Sequence, residues 1–137
     1  RFGNCDIEIL AAAVADFTPE KVEDRKIKRT GDEILLRLKP TKDIAATIGK
    51  MKKKSQILAG FALETHNELA NATAKLERKN LDIIIMNSMQ DKGAGFGYDT
   101  NRITIIDKNN NIDKFELKSK DEAARDILDK IVSMLKS

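Results

Sequence analysis

Two short apolar runs with one amphipathic segment between them constrain this chain more than any other feature. Residues 56–63 read QILAGFAL and residues 82–86 read DIIIM, with no polar alternation in either. Runs this short, bounded by polar residues and holding three consecutive isoleucines, fit strands buried on both faces. Such strands need helices above and below them, and two in parallel need a crossover between them. The intervening segment supplies one. Thr65 stands three residues before Glu68 in the capping-box arrangement, which predicts a helix from there to about Lys79. Strand, helix and strand then form a right-handed crossover unit.

The remaining patterns extend that unit. Asp6 to Ala13 carries Ile7, Ile9 and Leu10 and runs into alanines, a strand entering a site. Arg25 to Lys28 and Glu33 to Leu38 flank Thr30-Gly31-Asp32, which predicts an antiparallel hairpin with Lys26 and Lys28 on one face, ended by Pro40. Lys42 to Lys52 spaces Ile44, Ile48 and Met51 as a helix. Arg102 to Ile106 and Asp113 to Leu117 read as strands joined at Asn109-Asn110-Asn111. Lys120 to Leu135 sets Ala123, Ala124, Ile127, Leu128, Ile131 and Leu135 on one helical face. The expected fold is α/β, a Rossmann-like three-layer domain with a mostly parallel sheet and an antiparallel hairpin addition. Residues 1–137 are expected to be one domain whose N-terminal part is missing, because the chain opens on Arg1 and almost at once enters a strand.

Charge and composition narrow the function. Against 25 Lys and Arg stand 22 Asp and Glu, a formal charge of +3, and with 4% aromatic residues and no Trp there are few stacking platforms for bases. No nucleic-acid partner is expected. No 18-residue apolar run is present, so no membrane-spanning helix is expected either. Cys5, the only cysteine, has Asn4 and Asp6 beside it and no base or cation to activate it. One thiol and no signal peptide point to a cytoplasmic location.

The candidate site begins at Leu10. From there the chain reads LAAAVADFTPEKVEDRKIKR, small residues that stop at one carboxylate, Asp16, followed by a basic cluster from Lys26 to Arg29. Small residues at a strand end let a ligand approach the backbone, and a carboxylate beside cations suits a sugar or metal next to phosphates. In parallel sheets, ligands bind beyond the carboxyl ends of the strands, which brings 11–16, 61–65 and the residues after Asn87 toward one crevice. Each feature has a plainer alternative. Asp16 could turn the chain before Pro19, Lys26 and Lys28 could guard a hairpin edge, Lys75 and Lys79 could be a solvated helix face, and Phe61 could be core. The glycine loop at Gly93 to Gly97 lacks the lysine of a phosphate-binding loop, and no G-x-G-x-x-G turn follows the first strand.

Six ordered blocks carry a family resemblance: AAAVADF at 11–17, KIKR at 26–29, Asp43-Ile44 after Lys39-Pro40-Thr41, GFALET at 60–65, KLERKNLD at 75–82 and FGYDTN at 96–101. In this order they resemble the phosphopantothenate–cysteine ligase family, the synthetase domain of the coenzyme A biosynthesis bifunctional proteins, over nearly the whole chain. The resemblance implies ligation of cysteine to 4'-phosphopantothenate through an acyl-cytidylate made from CTP, with Mg2+ and no covalent enzyme nucleophile. It also implies a homodimer and a fused or associated flavin-dependent decarboxylase domain. By resemblance, the backbone of Leu10, Ala11 and Ala12 lies against the cytosine, Asp16 contacts the nucleotide and Lys26 is catalytic as well as nucleotide-binding. Lys42, Asp43, Ile44 and Ala45 close over the nucleotide, Phe61 packs on the base, and Lys75 and Lys79 hold the triphosphate. Two departures stand out: the family pattern K-x-K-K ends here in Arg29, and the proline before the aspartate is here Lys42. The family's metal ligands and its glycine- and serine-rich loop are not identified in this chain, and the loop would precede Arg1. Two other functions fit the same elements, a Rossmann-like dinucleotide-binding oxidoreductase and a non-catalytic dimerisation domain.

Overall fold

The isoleucines at 83–85 lie at the centre of the molecule, each 1% exposed or less. The computed structural model describes residues 2–29, 31, 33–88 and 97–136. In chain order its strands and helices are β1 (Ile7–Leu10), β2 (Phe17–Pro19), β3 (Leu38–Pro40), α1 (Ile44–Met51), β4 (Ile57–Glu64), α2 (Glu68–Arg78) and β5 (Ile83–Ser88), followed by β6 (Thr100–Asn101), β7 (Ile103–Asp107), β8 (Ile112–Lys114), β9 (Lys118–Ser119) and α3 (Lys120–Leu135). The main sheet has the order β1-β4-β5-β7-β8. Strands β1, β4 and β5 run parallel, with Ile9 opposite Ala59 and Ala59 opposite Ile83. Strands β7 and β8 add an antiparallel edge. The α/β fold with parallel strands at its heart is as the sequence predicts.

Strand periodicity divides the core into two layers. Ile83 and Ile85 face Ala123, Ile127 and Ile131 of α3, while Ile84 and Met86 face Ala72 and Leu76 of α2. A fully buried isoleucine contributes about 2 kcal/mol, so the run at 83–85 anchors both layers at once. The buried stripe of α3 is narrower than the sequence predicts. It holds Ala123, Ile127 and Ile131, whereas Ala124, Leu128 and Leu135 are exposed. Met134, partly buried, extends this stripe against the same layer.

Two local expectations are corrected. Thr65 does not cap α2. Strand β4 continues through Glu64, so residues 65–67 must turn the chain, and the N-cap is Asn67 in the left-handed region (φ 46°) with no side-chain cap bond. Asparagine tolerates that region better than most residues. The capping box belongs to α3 instead, where the Ser119 hydroxyl accepts from the Glu122 amide at 3.2 Å and Glu122 Oε2 accepts from the Ser119 amide at 3.0 Å. The hairpin is also displaced. Residues 25–28 and 33–37 are not strands; β2 pairs with β3 in their place, extended by the Glu20 amide donating to the Arg37 carbonyl at 2.8 Å. Thr30 and Asp32 of the expected turn lie outside the described residues, as do Gly93 to Phe96. Alternating lysine and isoleucine forms a ladder only when one face is covered, and here Ile27, Ile34 and Leu35 are exposed, Leu35 by 90%.

At the end of the sheet away from the parallel strands' carboxyl termini, buried carboxylates hold the turns. Asp82 accepts from the Leu58 amide at 2.8 Å and pairs with Lys52 at 2.6 Å and Lys108 at 3.2 Å. Asp107 accepts from the amides of Asn109 and Asn111 and from Lys130, closing the predicted asparagine turn, in which Asn110 has φ 62°. Burial would raise the Asp107 pKa, but hydrogen bonds from Asn111, Lys130 and Asn109 outweigh it and hold the carboxyl below its usual value. A carboxylate depressed on folding stabilises the fold above its unfolded pKa and loses that contribution as pH falls through the folded one. Urea midpoints should therefore decline below about pH 5. Asp107→Asn is expected to be less stable at neutral pH by about 1 kcal/mol and to decline less steeply in acid. An unchanged acid slope would show that Asp107 is not the linked group.

Candidate active site

A cleft of about 730 Å3 opens where β1 and β4 end. Strand β1 stops at Leu10, and the alanines after it leave the sheet and run across the cleft wall to Asp16. With four alanines among its six residues, this wall presents much of its backbone to a ligand. Thr41 ties it to the opposite rim, its hydroxyl donating to the Ala15 carbonyl at 2.6 Å and its amide to the Asp16 carbonyl at 2.9 Å. The sequence reading missed Thr41, since nothing around a lone threonine before Lys42-Asp43 marks a bond reaching back 26 residues.

The second wall is the N-terminus of α1. Lys42, Asp43, Ile44 and Ala45 line it, and Asp43 is the N-cap, its Oδ1 accepting from the Ala46 amide at 3.0 Å. That hydrogen bond, with Lys79 beside it, holds the Asp43 carboxyl below its usual pKa. The floor comes from β4 and β5: Gly60, Phe61, Ala62, Leu63 and Ile84. A Cβ at Gly60 would lie 2.9 Å from Leu81 Cδ1, so a larger residue here would displace that side chain. Phe61 is 38% exposed, so its ring is available to a ligand and is not core.

Lys75 of α2 and Lys79, the C-cap of that helix, stand one turn apart and both line the cleft. Each already has a carboxylate partner, Lys75 with Glu64 at 2.6 Å and Lys79 with Asp43 at 3.3 Å. They are therefore not a merely solvated face. Every expected nucleotide contact except one thus meets in one cleft: Leu10, Ala11, Ala12 and Asp16 on the first wall, the α1 residues on the second, Phe61 below and the two lysines from α2. Lys26 is the exception. It is exposed on the segment between β2 and β3 and does not line the cleft of its own chain.

The Cys5 thiol donates to the Phe2 carbonyl and to Glu8, and burial together with Glu8 raises its pKa. Among the described residues no three metal-ligating side chains cluster. Mg2+ bound to a nucleotide takes most of its oxygens from phosphates and water and needs only one or two carboxylates. Asp16, exposed on the cleft wall, fits that need.

Comparison with known proteins gives the family of the chain. The model of the DNA/pantothenate metabolism flavoprotein C-terminal domain matches residues 1–135. Over 134 residues the chain is 64% identical to a cysteine/cysteine sulfinic acid decarboxylase from an unknown prokaryotic organism, covering 98% of this chain and 37% of that protein. Over 131 residues it is 45% identical to the coenzyme A biosynthesis bifunctional protein CoaBC of Bacillus subtilis, covering 96% and 32%. The chain thus spans about a third of the length of these relatives. Among solved structures, the C-terminal domain of a CoaBC protein superposes with a TM-score of 0.77 at 38% identity, covering 98% of this chain and 59% of that one. A Cab2 mutant in complex with phosphopantothenate-cysteine shares the fold at 20% identity, with a TM-score of 0.65 and coverage of 93% and 46%. The chain belongs to the DNA/pantothenate metabolism flavoprotein C-terminal domain family.

Proposed function

We propose that this chain forms the nucleotide-binding part of a ligase that joins cysteine to 4'-phosphopantothenate in coenzyme A biosynthesis, with CTP as the activating nucleotide. One observation carries the reading. A backbone wall, an available aromatic ring and two lysines one helical turn apart converge on one cleft at the ends of parallel strands. The wall and ring suit a base, and the lysines suit a polyphosphate. The relatives named for coenzyme A biosynthesis and the Cab2 complex with phosphopantothenate-cysteine support this choice of substrate.

The chemistry asks for such a site. A substrate carboxylate oxygen attacks the α-phosphorus of CTP, the bond to the β-phosphate oxygen breaks, and pyrophosphate leaves. The amine of cysteine then attacks the acyl carbon and expels CMP, forming the amide and losing a proton. Both steps build negative charge on phosphate oxygens, which Lys75 and Lys79 oppose from α2 and Lys26 opposes at the reacting acyl-phosphate. Mg2+ held by the triphosphate and Asp16 would neutralise further charge and make pyrophosphate a better leaving group. The working unit is a homodimer in the cytoplasm, within a polypeptide that also carries or recruits a flavin-dependent decarboxylase domain. Among the described residues no helix is long and apolar enough to cross a membrane.

The test is pyrophosphate release by the polypeptide that contains this domain. Release is expected to require both CTP and phosphopantothenate, and CMP release to require cysteine in addition. Folded protein that releases no pyrophosphate overturns the proposal. The name of the 64% identical relative favours a second reading, decarboxylation of cysteine or its sulfinic acid. CO2 release from cysteine without nucleotide would favour it. Tight NAD(P)H binding would favour a dinucleotide-dependent oxidoreductase instead.

A further inference from the structure

We infer that Glu64, the last residue of β4, is a positioning residue that fixes the Lys75 ammonium in the cleft before a polyphosphate arrives. The inference rests on the nucleotide reading of the cleft. Glu64 itself does not line the cleft, and its side chain is only 9% exposed. Its Oε1 lies 2.6 Å from Lys75 Nζ, and Oε2 accepts from Asn71 Nδ2 at 3.4 Å. The same Asn71 nitrogen donates to the His66 carbonyl at 2.9 Å, so the carboxylate is braced against the backbone of the turn before α2.

Lys75 is held from behind and open in front. Its side chain is 38% exposed and lines the cleft. An ammonium has three donors, and the contact with Glu64 occupies one of them. The pair at Lys79 is built differently: Asp43 is 45% exposed, sits at 3.3 Å, and spends its other oxygen on capping α1. A ligand can separate Lys79 from Asp43, whereas Lys75 stays where Glu64 holds it. Stability alone is a weak account of such a pair, since an ion pair with one exposed partner typically contributes about 1 kcal/mol or less. A lysine fixed in advance loses little rotamer freedom when a phosphate binds, which converts directly into affinity.

Glu64→Gln, Lys75→Ala and the double variant, made in the polypeptide that contains this domain, test the idea through KM for CTP, kcat of pyrophosphate release and Tm. Lys75→Ala is expected to raise KM about tenfold, and Glu64→Gln about fivefold with kcat changed by less than about twofold. The double variant should match Lys75→Ala, because Glu64 acts only through that lysine. Multiplied effects of about fiftyfold in the double variant would overturn the proposal. So would a Glu64→Gln protein with lowered Tm and unchanged KM. Asn71→Ala, which removes only the brace, should raise KM about threefold and keeps the test open if Glu64→Gln fails to fold. If Lys75→Ala raises KM while Glu64→Gln and Asn71→Ala do not, the nucleotide cleft stands and the role of Glu64 fails.

Discussion

Mixed dimers of Lys26→Ala and Asp16→Ala chains should recover about a quarter of the wild-type ligation rate, although each variant alone falls about a hundredfold or more. The quarter follows from counting. Half of the randomly mixed dimers are heterodimers, and in each of those one of two sites draws Asp16 from one chain and Lys26 from the other. The physical reason is where Lys26 sits. The cleft gathers every other expected contact but not this one, and Lys26 is carried on an exposed arm above β2 and β3. That arm also exposes Val22, Ile27, Ile34, Leu35 and Leu36. A two-stranded arm with so many apolar side chains in water is marginal, and the proposed dimer would stabilise it by burying them against a second copy. In the proposed dimer, two-fold symmetry would set each arm over its neighbour's cleft. Activity in the mixture equal to the sum of the two parents would show that Lys26 acts within its own chain, or not at all.

Much of this cleft is legible in the sequence because its signals are local. The alanines after Leu10, the aspartate that starts a helix at Ile44 and the i, i+4 lysines of α2 are each recognisable within one turn or one strand end. What the sequence hides is pairing across distance. Glu64 and Lys75 are 11 residues apart, and neither neighbourhood announces that a strand end and a helix face will meet. Thr65-x-x-Glu68 and Ser119-x-x-Glu122 are equally good capping boxes on paper. Only the extension of β4 to Glu64, set by its register with β5, spoils the first of them. The hairpin fails for a related reason. Alternation at residues 25–28 predicts a strand if one face is covered, and coverage is a property of the assembly, not of the segment.

The close approach of α1 to α2 yields the second large effect. Gly49→Ala should lower Tm by about 5 °C and raise KM for CTP at least about tenfold. Two forces compete at this position. Alanine in place of glycine inside a helix gains about 1 kcal/mol from propensity alone. Against that, a methyl at Gly49 would lie 2.9 Å from the carbonyl carbon of Lys79 and would overlap its oxygen. Overpacking against a side chain costs about 1 to 3 kcal/mol, and a backbone carbonyl at the end of α2 cannot rotate aside, so the upper value applies. The clash wins by about 2 kcal/mol. Relieving it moves α1 away from α2, which stretches the Asn80 side-chain bond to the Gly49 carbonyl (2.7 Å) and separates Asp43 from Lys79. Stability and nucleotide affinity should then fall together. Lys79→Ala provides the contrast, since losing an ammonium whose partner Asp43 is 45% exposed should raise KM with little change in Tm. A Gly49→Ala protein with unchanged or higher Tm would mean that propensity prevails and that α1 does not rest on the Lys79 carbonyl.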